Sequence, residues 1–246
     1  MNSLEEIRKT NTIYAPKPYG LVGDVETNGA AFVTEYVRVN ESVDWKLFGK
    51  ELSEMHYQNY VTTKREQKRQ QWIGGRVQTQ NGVVDEEPKE YYTEFGFIDP
   101  TVGSFYGRNE FVNVWHDDWV EFFCRNRLEP QFRRVIQYYG DRDIIELWSN
   151  LQTGLDRFFQ NIPNIVPSLL HGDLDSLKVG IFKREQENED GENVMTDKCI
   201  ILEPISFYGH SEFDLAKVKM NPLEDFPPEF YEEYHKKIKK LEGFEK

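Results

Sequence analysis

The chain has 246 residues, 43 of them acidic and 30 basic, for a formal net charge of −13, with 38% hydrophobic and 14% aromatic side chains. Aromatics this frequent exclude a disordered chain, because burial of bulky rings offsets chain entropy, and the length suffices for one or two domains with a core of their own. A surplus of negative charge repels phosphate backbones and anionic lipid, so neither a nucleic acid nor a membrane is expected as a partner. No run approaches the roughly 18 consecutive apolar residues of a membrane span. Met1-Asn2-Ser3-Leu4-Glu5-Glu6 lacks the basic start and apolar core of a signal peptide, and the expected location is cytoplasmic. Cys124 and Cys199 are too few for a disulfide framework and lack metal-ligand spacing, so both read as buried, reduced thiols.

In chain order, Ser3 to Thr10 reads as the last turns of a helix. Ile13-Tyr14-Ala15, then Leu21-Val22 and Ala30-Ala31-Phe32-Val33 around an Asn28-Gly29 turn signal, read as short strands. Ser42 is the expected N-cap of a helix whose apolar positions Trp45, Phe48, Leu52 and Met55 keep helical spacing. Lys64 to Glu90, polar and containing Gly74-Gly75, reads as a surface loop or insertion. Helical periodicity returns near Asp117-Asp118 with Trp119, Phe122 and Phe123, breaks at Pro130, and resumes with Phe132, Val135, Ile136 and Tyr139. Asp141 is placed to cap a further helix carrying Ile144, Trp148, Leu151, Leu155 and Phe158 as far as Pro163. After Pro167 the texture changes. Val179-Gly180-Ile181-Phe182 and Cys199-Ile200-Ile201-Leu202 read as paired strands, with the acidic stretch from Arg184 to Lys198 as their connecting turn. Lys236, Lys237, Lys239 and Lys240 read as a solvated helix face.

The chemistry-bearing constellation is His171-Gly172-Asp173, followed across the hairpin by Glu203. A carboxylate on a short loop can accept the proton of a substrate hydroxyl, and a second at a nearby strand end can hold a divalent cation, the minimum for phosphoryl transfer. Taken alone, the tripeptide reads first as a carboxylate that caps a turn, with Glu203 on the surface. The flanking strings are more specific: Phe95-Gly96-Phe97, Asn113-Val114-Trp115-His116-Asp117-Asp118-Trp119 with Phe122-Phe123, Leu169-Leu170-His171-Gly172-Asp173-Leu174, and Ser206-Phe207-Tyr208-Gly209-His210-Ser211-Glu212-Phe213-Asp214-Leu215-Ala216. Together they resemble the fructosamine-3-kinase family with its ketosamine-3-kinase relatives, which belong with the aminoglycoside phosphotransferases in the protein-kinase-like superfamily. The similarity runs from about Ser3 to Phe244.

The resemblance implies an α/β (α+β) protein-kinase-like fold. Residues 1–36 are the expected remnant of the small lobe and hinge, and residues 37–246 the large helical lobe with its active-site loop and hairpin. It implies ATP and Mg²⁺ as cofactors, and phosphorylation of the sugar 3-hydroxyl of glycated proteins or small ketoamines. Asp173 takes the catalytic base position. Phe32-Val33-Thr34-Glu35-Tyr36 takes the adenine-contacting hinge, making Glu35 and Tyr36 the cofactor-binding candidates. His56, His210 and Asp214 take structural positions. Two departures fall on the metal positions: Lys178 stands where the family has an Asn, and Glu203 where it has an Asp. An ammonium offers no acceptor to Mg²⁺, whereas Glu keeps the oxygen donor one methylene further out. Lys178 is expected either to pair with Glu203 in place of a metal or to turn outward into solvent. The resemblance also sets the glycine-rich strand pair and phosphate-contacting Lys before residue 1, and the family's final helices after Glu245. The alternative reading is therefore a pseudokinase or fragment that binds a partner or nucleotide without transferring phosphate.

Overall fold

The structure, a computed structural model, describes residues 1–24, 29–40, 42–73, 89–98, 104–106, 109–140, 142–162, 164–187, 191–220, 225–241 and 243–244. Asn28, Asp141, Pro163 and the 74–88 part of the expected insertion lie outside the described residues.

Helix α1 (Asn2–Thr10) buries Leu4 and Ile7 and ends on Asn11, whose left-handed φ of 53° terminates it. Strands β1 (Pro18–Asp24) and β2 (Gly29–Thr34) form an antiparallel pair. Ile13-Tyr14-Ala15 is not a strand of that pair. Tyr14 instead forms a parallel bridge to Ile200, much farther along the chain.

Helix α2 (Trp45–Ile73) is the central element. Its N-cap is Asp44 rather than Ser42: the Asp44 carboxylate accepts from the Leu47 N–H at 3.0 Å. Phe48, Leu52, Met55 and His56 face the core, as the spacing requires. The helix continues well past Lys64, so 64–73 is helix and not loop. Lys, Arg, Glu and Gln are good helix formers even without an apolar face, and Glu66 pairs with Arg69 one turn on, at 3.8 Å.

After β3 (Ser104–Tyr106) and β4 (Asn109–Phe111), α3 (Trp119–Phe123) begins on an Asp118 cap. It passes through one π-helical turn (Cys124–Leu128) into α4 (Glu129–Tyr139). Pro130 therefore interrupts nothing. The Asn126 carbonyl, which has no N–H to accept from at Pro130, accepts instead from the Arg127 guanidinium at 2.9 Å, and the Arg127 carbonyl accepts from Gln131 Nε2 at 2.7 Å. Helix α4 buries none of Phe132, Val135, Ile136 or Tyr139 fully, and holds α5 (Arg142–Gly154) through the stacked rings of Phe132 and Trp148, 4.5 Å apart. A short α6 (Asp156–Phe159) follows, in which Phe159 packs on the core while Phe158 is 70% exposed, against expectation.

Strand β5 (Ser168–Leu169) pairs with β8 (Tyr208–Gly209), and between them lies the long hairpin of β6 (Val179–Glu187) and β7 (Asn193–Ile201), in register from Val179↔Ile201 to Glu187↔Asn193. Most of the acidic stretch is thus strand, not turn. The apolar base of the hairpin is buried while its charged far half projects into water. Asn40 bridges to β6 and Tyr14 to β7, so the base has a neighbour on each edge.

Helices α7 (Glu212–Lys219) and α8 (Pro228–Lys237) complete the layer. Phe48 of α2 packs on Phe226 and Phe230, and the crossing is close because residue 49 is glycine: a Cβ there would lie 2.4 Å from the Phe230 carbonyl oxygen. The lysine cluster is split, with Lys236 and Lys237 ending α8 and Lys239 and Lys240 beyond it. Cys199 is buried and Cys124 only partly so; both are free thiols.

Candidate active site

Residues 170–178 leave β5 and lead into β6. Gly172 lies at φ 83°, and a Cβ on it would come within 2.0 Å of the Ile205 carbonyl oxygen, so only glycine lets this loop press against residues 202–205 after β7. Their union is hydrogen-bonded. The His171 carbonyl accepts from the Ile205 N–H at 2.8 Å, and the Lys178 carbonyl from the Leu202 N–H at 2.9 Å. The buried His171 ring is held at both nitrogens: Nε2 lies 2.9 Å from the Leu202 carbonyl, and Nδ1 accepts from the Asp173 N–H at 3.2 Å. That tautomer is neutral, and burial pushes the imidazole below its ordinary range.

Beneath the loop sits Asp214 of α7, fully buried. It accepts from the backbone N–H of His171 at 2.7 Å and of Gly172 at 2.8 Å, and lies 3.2 Å from Nε2 of His56, whose Nδ1 is 2.7 Å from the Tyr234 hydroxyl. Burial alone raises a carboxyl, but the hydrogen bond from His56 and the backbone donors hold Asp214 below its ordinary value. His56 and Asp214 are therefore structural, as expected, and join α2, α7 and α8 to the loop. His210 is structural too: it is buried and accepts from the Glu212 N–H at 3.0 Å.

This framework holds Asp173 partly buried, its side chain 15% exposed. The carboxylate is occupied. Oδ2 accepts from Lys178 and Oδ1 from Lys217, each in a short ion pair. Asp175 organises both lysines: its Oδ1 caps the 3₁₀ turn Ser176–Lys178 by accepting from the N–H groups of Leu177 and Lys178, while its Oδ2 lies 3.5 Å from Lys178 Nζ and 3.8 Å from Lys217 Nζ. Lys178 thus points into the site, yet its partner is Asp173 and not Glu203. Glu203 stands on the adjoining loop at a left-handed φ of 54°, exposed.

The fructosamine kinase family profile matches residues 89–246. The ketosamine-3-kinase of Mus musculus is 37% identical over 254 residues, which cover 100% of this chain and 71% of that protein. This chain belongs to the fructosamine kinase family. A chloroplastic protein-ribulosamine 3-kinase of Arabidopsis thaliana is 29% identical over 245 residues, 99% of this chain and 60% of the relative. Two solved structures assigned as fructosamine-3-kinases share the fold, one from Haemophilus somnus 129PT (TM-score 0.63, 19% identity, 98% of this chain and 64% of that one) and one from Thermobifida fusca (TM-score 0.62, 18%, 99% and 67%). The fold of this family member is accordingly protein-kinase-like: mainly helical, with the hairpin and the Asp173 loop side by side.

The hinge candidates of this family member lie between β2 and α2. The Glu35 carboxylate accepts from the Tyr14 hydroxyl at 2.8 Å and the Lys17 N–H at 2.9 Å, and its own N–H donates to the Lys17 carbonyl at 2.8 Å. Burial would raise this carboxyl, but these donors hold it below its ordinary value. The Tyr36 ring is 88% exposed.

The residues do not fit a divalent cation. Mg²⁺ requires several oxygens at about 2.0–2.1 Å in octahedral array. Both Asp173 oxygens already bind ammonium groups, Lys178 has no acceptor, and among the described residues no group of three or more His, Cys, Asp or Glu is placed to hold a metal.

Lys217 was not among the sequence candidates, although a signal existed. It lies three residues after Asp214 on α7, so both share the helix face that meets the loop. Asp214 takes the loop backbone, and Lys217 takes its carboxylate.

Proposed function

We propose that this chain is an ATP-dependent phosphotransferase acting on the sugar 3-hydroxyl of ketoamines, either glycated proteins or small ketoamine adducts. The observation that carries the reading is the fixed presentation of Asp173, on a loop locked from below by Asp214 and from the side by His171. In the reaction, the Asp173 carboxylate takes the proton of the substrate hydroxyl while that oxygen bonds to the γ-phosphorus of ATP. The bond from the γ-phosphorus to the bridging oxygen breaks, and ADP leaves. Each Asp173 oxygen already accepts from one lysine and has a second lone pair, so the substrate hydroxyl would approach beside the ammonium groups.

The adenine is assigned to the segment of Glu35 and Tyr36, where Glu35 is braced by Arg8 of α1 and by Tyr14 and Lys17 of the segment that follows it, and Tyr36 is open to a ligand. In this reading residues 1–36 belong to the small lobe and hinge, and 37–246 to the large lobe. A cytoplasmic setting, in which the free thiols Cys124 and Cys199 stay reduced, is part of it.

The test is transfer of phosphate from ATP to a fructosyl-lysine peptide, followed by mass spectrometry. Asp173→Asn, nearly isosteric, should remove all transfer and leave the fold unchanged, and Lys178→Asn combined with Glu203→Asp should raise it. Equal transfer by the unmodified chain and Asp173→Asn would refute the role of Asp173. Nucleotide binding without any transfer is the outcome of the pseudokinase alternative.

A further inference from the structure

The Asp173 cluster balances its own charge. Two carboxylates, Asp173 and Asp175, face two ammonium groups, Lys178 and Lys217, whose summed charge equals that of one divalent ion. The two lysines arrive from different elements, Lys178 from the 3₁₀ turn opening β6 and Lys217 from α7, and converge on opposite oxygens of one carboxylate. Both side chains are largely buried, at 16% and 28% exposure, so their charges are less screened than surface lysines. We infer that Lys178 and Lys217 together replace the divalent cation of this site, so that the chain refuses Mg²⁺ or Mn²⁺ at Asp173 and takes a nucleotide as its metal-free polyphosphate.

A divalent ion entering here would meet two positive charges within a few ångströms and would compete with both ammonium groups for the lone pairs of Asp173. Glu203 is exposed on the next loop and cannot complete an octahedral set alone. The 3₁₀ cap fixes the backbone from which Lys178 reaches back, and its ammonium also donates to the Asp173 carbonyl at 3.1 Å, so the lysine is committed to this loop by several bonds. The inference deepens the kinase reading and rests on its assignment of Asp173.

The test is a Mn²⁺ titration without nucleotide, following loss of the free-ion EPR signal, on the unmodified protein, on Lys178→Asn/Lys217→Ile, and on the same double variant carrying Asp173→Asn. The expected result is no saturable site sensitive to Asp173 in the unmodified protein. The double variant should bind Mn²⁺ on the order of tenfold more tightly or better, and Asp173→Asn should remove that gain. Should the double variant fail to fold, Lys217→Gln alone should give a smaller gain of the same sign. Mn²⁺ binding as tight in the unmodified protein as in the variants would overturn the inference. A parallel titration with a fluorescent ATP analogue should give the same affinity with Mg²⁺ or EDTA, and a tenfold gain with Mg²⁺ overturns the inference as well. Loss of nucleotide binding in every sample would instead count against the kinase reading, leaving the Mn²⁺ result to decide the metal question.

Discussion

Gly172 and Asp214 together do what neither Asp173 nor its lysines can: they set where the carboxylate stands. Gly172→Ala combines a left-handed φ with a backbone clash against Ile205, two costs that no rotamer relieves. Its expected destabilisation is roughly 2–4 kcal/mol by urea denaturation, and ligand binding at Asp173 should be lost even at temperatures where the variant stays folded. A variant as stable as the unmodified chain would mean that the loop does not need this conformation. Replacement of Asp214 by Ala should be worse, because it strands the His171 and Gly172 amides in a dry site. Of the residues concerned, Asp173 and Asp214 were legible in the sequence because they belong to contiguous, specific strings, and His56 only through its position in the family resemblance. The pairing of Lys178 was only half legible. Its five-residue distance from Asp173 put it in the site, but which carboxylate it meets depends on the 3₁₀ turn capped by Asp175.

Among the elements, the legible ones are those with an apolar face. The first half of α2 and α3 display a period that one buried side requires, and the base of the β6–β7 hairpin is a continuous apolar run whose successive residues are all buried. Elements without an apolar face were misread: residues 64–73 continue α2 on propensity and polar contacts such as Glu66 with Arg69, and the far half of the hairpin stands in water on backbone pairing and cross-strand pairs such as Lys183 with Asp197, 4.0 Å apart. The π turn absorbs Pro130 through two side-chain hydrogen bonds, which no local pattern announces. The helices also differ in what holds them. Phe230, fully buried between α8 and α2, should cost about 4 kcal/mol on truncation to Ala, and lower the cooperative unfolding midpoint of the whole chain. Trp148, which anchors α5 to α4 and little else, should on truncation remove amide-exchange protection from α5 while α2 and α8 keep theirs. Equal loss across α5 and α2 after Trp148→Ala would show that α5 is part of the main cooperative unit.

The whole molecule carries a pH dependence set by its buried histidines. Burial holds His210 at about 4, against an ordinary 6.5, and it lowers His171 as well. A depressed imidazole is neutral when folded, so between these values the unfolded chain binds the extra proton. Its contribution to stability is complete above about pH 6.5 and is lost as the pH falls toward 4. For His210 the loss between pH 7 and pH 5 should be roughly 2 kcal/mol. Asp214, also depressed, adds a further loss in stronger acid, whereas Glu51, raised by its burial, works the other way. Guanidinium unfolding at pH 7 and pH 5 checks this with His210→Gln, which keeps an acceptor for the Glu212 N–H and does not titrate. The variant should lose less stability on acidification than the unmodified chain, and an equal loss would exclude His210 as the cause.

Composition and periodicity established a mixed helix-and-strand chain, and the motif strings, through their family resemblance, a kinase-like one with Asp173 as the candidate base, because those properties are local: a period needs only one buried face, and a motif only its neighbours in sequence. The state of that working loop is not local. Lys217 comes to Asp173 from 44 residues away, Asp214 from 41, and His56 from more than a hundred before it, each delivered by a helix whose position is set by packing elsewhere. Whether a carboxylate faces a metal, a hydroxyl or two ammonium groups is a question of distances in space, and those were decided when α2, α7 and the hairpin closed on one another.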